Sequence, residues 1–551
     1  MKKFIYTLSI IICCQFTFAQ ITVHDSSAFL DINLIKAKIY TGGMNFMDKY
    51  DSVHPNYYEY PANSGKHTIL SSALWIGGLN NGNLYLAADQ YQNGKRDFYP
   101  GPVMDSISFL TEAANWNKVW KINKSDIDYH IANWNIPGYV MPTSISQWPV
   151  YANPGLGINY DLAPYIDADS NGFYNPANGD YPAIRGDQAI YFIFNDSVCR
   201  HSETSGKRMG IEVHAMAYVY NSAPELDKTV FMNYMIYNRS SRVYDSIFVG
   251  NFTDIDIGYP FDDYIGCDTT IEAYFGYNVG NIDMVYPETF PYANTLSYGA
   301  NPPAQGITLL NQSMTSFMSL KEKIENSGYF STQCLNNAYD YYLLMKSFWC
   351  DTTHLTNYNV IEHPYANPIQ IPTSYCFPGN TCDTTSEAYT GSQPYDRRGL
   401  GSSGPFSLTP GQFISFDYAY VTGDSISDSC GSNINNLLND IYQVRSHFNS
   451  HHPQDGHDLA LGIDEQQKNN PASTPQFSIY PNPTTDKLTF TTNLTNTTLT
   501  LDILDINGRL LQTTQCTNGR KVLDVSNFKK GVYIIKIRSA EQTSFVKFIK
   551  L

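Results

Sequence analysis

Two runs of oxygen-bearing side chains are where this chain of 551 residues could do chemistry. The first reads Asp167-Ala-Asp169-Ser-Asn171-Gly172-Phe173-Tyr174-Asn175, with Asn178 and Asp180 just beyond. Oxygen donors at alternate positions, with a glycine at the sixth to take a positive φ, can wrap a loop around Ca²⁺, a hard cation that takes about 6–8 oxygen ligands. Asp167, Asp169 and Asn171 would supply side chains and Phe173 a carbonyl, with Asn175 and Asp180 as further oxygen donors. Two features depart from an EF-hand. Asn178 stands where a bidentate Glu belongs, and Pro164, Pro176 and Pro182 oppose flanking helices. The expectation is a calcium-stabilised loop rather than a calcium sensor. An Asx-rich surface turn would use the same residues.

The second run is Asn251-Phe-Thr-Asp254-Ile-Asp256-Ile-Gly258, followed by Asp262, Asp263 and Asp268. In a strand, Asp254 and Asp256 share one face and Ile255 and Ile257 the other. Carboxylates held that close repel, and a bound cation is the simplest relief. All five aspartates are therefore candidate metal ligands, with calcium as the expected ion. Two other readings remain open: a solvated acidic loop, and a glycosidase acid and base whose type depends on a separation that sequence does not give. Asp396-Arg397-Arg398 is one of the few double cations, placed either against this acidic run or in solvent. Glu212 and His214 would share a strand face, as an acid/base or metal pair or as a satisfied structural pair. HExxH, GxSxG and glycine-rich phosphate loops do not occur, so no catalytic residue is assigned.

These residues need a scaffold, and its pattern is β. Residues 20–200 show short apolar-alternating runs broken by Gly, Pro and Asn, such as Ala73-Leu-Trp-Ile-Gly-Gly78, and read as strands and loops. Trp75, Trp116, Trp120, Trp134 and Trp148 fall here and would either stack on sugars or pack inside. Residues 201–452 carry the clearest strands, over 211–220, 230–237, 246–252 and 273–277. They also hold an irregular stretch over 314–369 and a closing strand pair over 404–421. Ile434, Leu437, Leu438, Ile441, Val444 and Phe448 then form one apolar helical stripe, capped by Ser432 and ended by His451-His452-Pro453. The expected fold is all-β: a β-sandwich body with one short C-terminal helix, a polar linker over 453–476, and a small separate β-sandwich over 477–551.

Composition sets the compartment. Met1-Lys2-Lys3, an apolar run to Phe18 and the small residue Ala19 have the form of a signal peptide over 1–19. No later run approaches the roughly 18 apolar residues of a membrane span. The formal charge is 35 − 51 = −16, and removing Lys2 and Lys3 makes it 33 − 51 = −18. That excludes nucleic acid as the natural partner and suits divalent cations. Charged residues are 16% while aromatics reach 14%, with 43 Tyr, a balance that suits a β-rich extracellular chain. Eight of ten cysteines lie beyond Ala19, and an exported chain can oxidise them. Cys376 and Cys382 flank Phe377-Pro-Gly-Asn380, a turn that could close a disulfide.

In the last stretch, Phe477-Ser-Ile-Tyr-Pro-Asn-Pro483 makes an edge strand broken by two prolines. Alternating runs over 487–492, 499–506 and 532–537 are separated by Asn507-Gly508, Asn518-Gly519 and Lys530-Gly531. With Tyr480-Pro-Asn-Pro483, Asp505-Ile-Asn-Gly-Arg509, Gly531-Val-Tyr-Ile-Ile-Lys536 and the basic, apolar end Val546-Lys-Phe-Ile-Lys-Leu551, it resembles the type A C-terminal sorting domain of the type IX secretion system. The resemblance implies an address read by the type IX machinery at the outer membrane, then commonly cleaved and replaced by a link to surface lipopolysaccharide. The reading as a whole is an exported cell-surface or extracellular protein, non-catalytic and calcium-stabilised, with an adhesive, structural or binding role. A secreted glycan-active hydrolase using Asp254 and Asp256, or a glycan-binding module, is the alternative.

Overall fold

Strands buried on both faces set the architecture. A computed structural model describes residues 24–550 with internal breaks, the longest at 286–296, 322–334, 358–370, 425–433 and 452–476. The signal-peptide stretch, the linker, Ser432, His452 and Cys382 lie outside the described residues. Gln188–Asn195, Ile211–Val219 and Thr229–Asn238 are buried along their whole length. They are central strands of a large antiparallel sheet. Its order runs Asp263–Asp268, Ala273–Asn278, Ala304–Leu309, Phe413–Gly423, Thr229–Asn238, Ile211–Val219, Gln188–Asn195 and Tyr99–Pro100, with Trp120–Asn123 also on Gln188–Asn195.

A second antiparallel sheet runs Ser316–Lys321, Arg397–Leu408, Tyr244–Ile255, Ser71–Asn80 and Asn83–Ala88. Phe192, Val213 and Tyr234 of the large sheet and Trp75, Phe252 and Leu400 of the smaller one belong to one buried core. Two sheets closed on one apolar layer make a β-sandwich, and the all-β fold is as the alternation predicts. Trp75 stacks on Phe252 at 5.4 Å and donates its Nε1–H to Asp89 O at 2.9 Å. Both sheets draw strands from either side of residue 200, so no structural division falls there.

The outer face of the large sheet carries a second core. Trp120, Trp148, Tyr191, Tyr218 and Phe231 meet Ile434, Leu437, Ile441 and Val444 of the helix Ile434–His451. Two glycines admit that helix. A Cβ at Gly423 would lie 2.6 Å from Leu437 Cα, and one at Gly306 would lie 2.7 Å from Ile441 Cδ1. The helix therefore lies directly on sheet backbone.

The structure corrects two expectations of secondary structure and resolves the alternative left open for the tryptophans. Ser106–Trp116 and Lys124–Asn133 are helices where strands and loops were expected. The stretch read as irregular holds the strand Ser316–Lys321 and the helix Ala338–Leu344, opened by a capping box between Asn337 and Asp340. The tryptophans form no exposed row: Trp75, Trp120 and Trp148 are buried, and Trp134 alone reaches 36% exposure. Cys350 is disulfide-bonded. The expected Cys376–Cys382 bridge is not formed: Cys376 keeps a buried thiol, and its carbonyl accepts from Cys267 Sγ at 3.3 Å.

The chain divides into two compact units between Leu461 and Gly462. The second unit has a three-stranded sheet, Phe477–Tyr480, Lys487–Thr492 and Arg520–Asp524. Its four-stranded sheet runs Leu510–Cys516, Leu499–Asp505, Gly531–Arg538 and Thr543–Lys550. Leu488, Phe490 and Leu523 from the one and Leu501, Ile503, Ile535 and Phe548 from the other fill a single core. This is a small sandwich of its own. Among the described residues, no helix is long and apolar enough to cross a membrane.

Candidate functional site

The loop at Asp167 closes on its own side chains. Asp167 Oδ1 accepts from Asn171 N at 3.1 Å and its Oδ2 from Gly172 N at 2.6 Å, while Asp169 accepts from Asn171 N and Asn178 Nδ2. Asn171 Oδ1 accepts from Phe173 N at 2.8 Å. Asp180, fully buried, ties both ends by accepting from Ala168 N at 2.8 Å and Asn175 N at 2.7 Å. Gly172 takes φ +81°, the conformation expected at the sixth position. One carboxylate oxygen each from Asp167, Asp169 and Asp180 lies within 4.8 Å of the others. Asn175 is engaged otherwise: its side chain caps a short turn by accepting from Ala177 N at 3.1 Å. Phe173 exposes its ring. Slight desolvation pushes the Asp167 carboxyl up, but the amides of Gly172 and Asn171 outweigh it and hold it below the ordinary range.

The Asp254 run comes apart into three places. Asp254 ends the Tyr244–Ile255 strand opposite Arg398 and, on its other side, opposite Ser71. Arg398 Nε lies 3.3 Å from Asp254 Oδ2, and Arg398 Nη2 donates to Asp396 Oδ2 at 2.9 Å. Tyr91 donates its hydroxyl to Asp254 Oδ2 at 2.6 Å. Asp254, Asp256 and Asp396 each place a carboxylate oxygen within 4.8 Å of the others, and their exposures are 0%, 8% and 8%. Sequence missed Asp396 as a member although it sits beside the noted Arg397-Arg398 pair. Arg397 itself turns away, bidentate on Glu387 at 2.7 and 3.2 Å.

Asp262 and Asp263 lie with Asp283, which sequence did not single out. Asp262 accepts from Asn278 Nδ2 and Met284 N, both at 2.9 Å, and Asp263 from Ile257 N at 3.0 Å. Burial pushes the Asp262 carboxyl up to about 7 and Asp283 to about 6. Burial, with the charge of Asp262 beside it, pushes Asp263 well above the ordinary range. Asp268 joins neither group. It accepts from Thr270 N at 2.8 Å and Thr270 Oγ1 at 2.6 Å, closing the turn after its strand.

The geometry also bears on catalysis. A glycosidase pair must meet a sugar ring, and Asp254 and Asp256, at 0% and 8% exposure, offer it almost no surface. Glu212 and His214 are a satisfied pair. His214 Nε2 lies 2.8 Å from Glu212 Oε1, Arg239 Nε donates to that oxygen at 3.1 Å, and Tyr160 Oη and Val103 N donate to Oε2 at 2.8 and 2.6 Å. Burial pushes Glu212 up, but Arg239 and His214 prevail and bring it down to about 2.

Residues 478–551 match the family described as the secretion system C-terminal sorting domain. The second unit is thus a type IX sorting domain, and the chain is a protein secreted to the cell surface or the extracellular space. No curated protein matches the chain. Two solved structures are similar at low level. One is a polysaccharide lyase at 8% identity and TM-score 0.20, covering 73% of this chain and 42% of that one. The other is PorZ, described as an essential bacterial surface component of the type-IX secretion system of human oral-microbiomic Porphyromonas gingivalis. It matches at 10% identity and TM-score 0.13, over 71% of this chain and 48% of that one. This chain thus spans less than half the length of either.

Proposed function

We propose that this protein is a non-catalytic surface component whose β-sandwich body is stabilised by calcium and serves adhesion, envelope structure or binding. The observation that carries the reading is the Asp167–Asp180 loop, where three carboxylates converge within 4.8 Å around a glycine with φ +81°. Asp167 and Asp169 are the charged ligands at the loop's start, with Asp180 closing it from the far end. The exported chain works outside the cell, where millimolar-range calcium sites are useful as fixed structural elements. The sorting domain addresses the chain to the type IX machinery, and in this reading its removal leaves the body linked to lipopolysaccharide or free in the medium. Burial of Trp75, Trp120 and Trp148 favours packing over sugar stacking for most of the tryptophans. Calorimetric melting of the secreted chain in calcium and in EDTA tests the metal: a higher melting temperature in calcium supports it, and equal temperatures refute it.

A further inference from the structure

We infer that Asp254, Asp256 and Asp396 hold a second divalent cation inside the body, at a site distinct from the Asp167–Asp180 loop. The three residues come from two neighbouring strands. Asp254 lies at the end of Tyr244–Ile255 and Asp256 directly follows that strand, while Asp396 directly precedes Arg397–Leu408, the strand paired with it. An ion between them would fasten the end of one strand to the start of the next.

All three are at least nine-tenths buried, and their carboxylate oxygens converge within 4.8 Å. Arg398 pairs with both Asp254 and Asp396. An independent mark of a ligand is the oxygen left over. Asp396 Oδ2 is taken by Arg398 Nη2, while Asp396 Oδ1 is buried and receives no hydrogen bond. Buried carboxylate oxygens are satisfied by donors or by cations. An all-oxygen set of Asp side chains suits Ca²⁺ or Mg²⁺ and not a soft transition metal. The position of Arg398 fits a structural role, because it keeps part of the charge compensated as the strands come together.

The inference shares with the calcium reading only the premise that the exported body meets free divalent cations; it does not depend on the loop. The test is metal content by mass spectrometry on the full-length chain, saturated with Ca²⁺ or with Mg²⁺ in separate arms and then gel-filtered. Wild type is expected to carry two ions per chain. Asp396→Asn should lose one, and Asp169→Asn, in the loop, should lose the other. Whichever arm retains the inner ion identifies the metal. One ion in wild type that disappears in Asp169→Asn overturns this inference and leaves the loop standing. One ion that survives Asp169→Asn but disappears in Asp396→Asn supports it and removes the loop. Should Asp396→Asn fail to fold, Asp169→Asn decides alone: one retained ion supports the inner site and none overturns it.

Discussion

Arg398 faces Asp254 directly across an antiparallel strand pair, with its Nε 3.3 Å from Asp254 Oδ2. The same guanidinium holds Asp396 at 2.9 Å, so one buried cation serves two buried carboxylates. Its removal takes away the cation that these two buried carboxylates share, a change that costs about 3–5 kcal/mol in comparable sites. Arg398→Met is expected to lower the unfolding free energy by that order in EDTA, read as a lower urea midpoint. An unchanged midpoint would mean that the pair contributes nothing to the body.

Glu212 supplies the pH dependence. Burial raises its carboxyl, but Arg239 first and then His214 bring it from the ordinary 4.5 down to about 2. A depressed folded-state pKa adds stability that is fully present above the unfolded value and is lost as pH falls from about 4.5 through 2. Fully buried, this group contributes about 3 kcal/mol at neutral pH. Glu212→Gln should lose that stability at pH 7 and show a flatter dependence across the acid range. Denaturant unfolding at pH 7, 4 and 3 checks it, and parallel curves for the two proteins would contradict it.

How far the sequence was legible depends on whether neighbours in space are neighbours in the chain. Asp254 and Asp256 alternate within one strand, so their shared face could be read directly. Asp396 could not be added to them, because only the strand register that sets Asp254 opposite Arg398 brings it near. Asp268 was grouped with them by proximity in sequence, and a turn with Thr270 takes it elsewhere. In Ile211–Val219, Glu212 and His214 alternate, so their shared face could be read directly. Of the readings left open, the satisfied structural pair is the one found, with Glu212 covered by Val103 N and Tyr160 and His214 by Leu162 O. The helix Lys124–Asn133 lacks a side-chain cap and a strong apolar stripe, so little marked it locally. The helix Ile434–His451 has a continuous stripe and was readable throughout.

Gly423 tests how the helix docks. Its missing side chain lets Leu437 approach the sheet, since a Cβ there would come 2.6 Å from Leu437 Cα and Cβ. Gly423→Val must push Ile434–His451 off the sheet or strain its end, and overpacking of this kind costs about 1–3 kcal/mol. Proteolysis is expected to cut the helix region faster in the variant. Equal cleavage rates would show that the helix is not held there.

Deletion of residues 477–551 removes the sorting domain matched at 478–551. The truncated chain should fold, because the first compact unit ends at Leu461, and should stay inside the outer membrane. Cell fractionation with an antibody to the body reads this out. Truncated protein at the cell surface or in the medium would contradict the assignment of the address.

Calorimetry of the secreted full-length chain, with millimolar calcium against EDTA, addresses the central claim most directly. The account predicts a melting temperature of the body that is several degrees higher in calcium, with the gap narrowed in Asp169→Asn, whose loop carboxylate is replaced. Coincident melting curves in calcium and EDTA, or a gap unchanged by Asp169→Asn, would contradict calcium stabilisation through the Asp167–Asp180 loop.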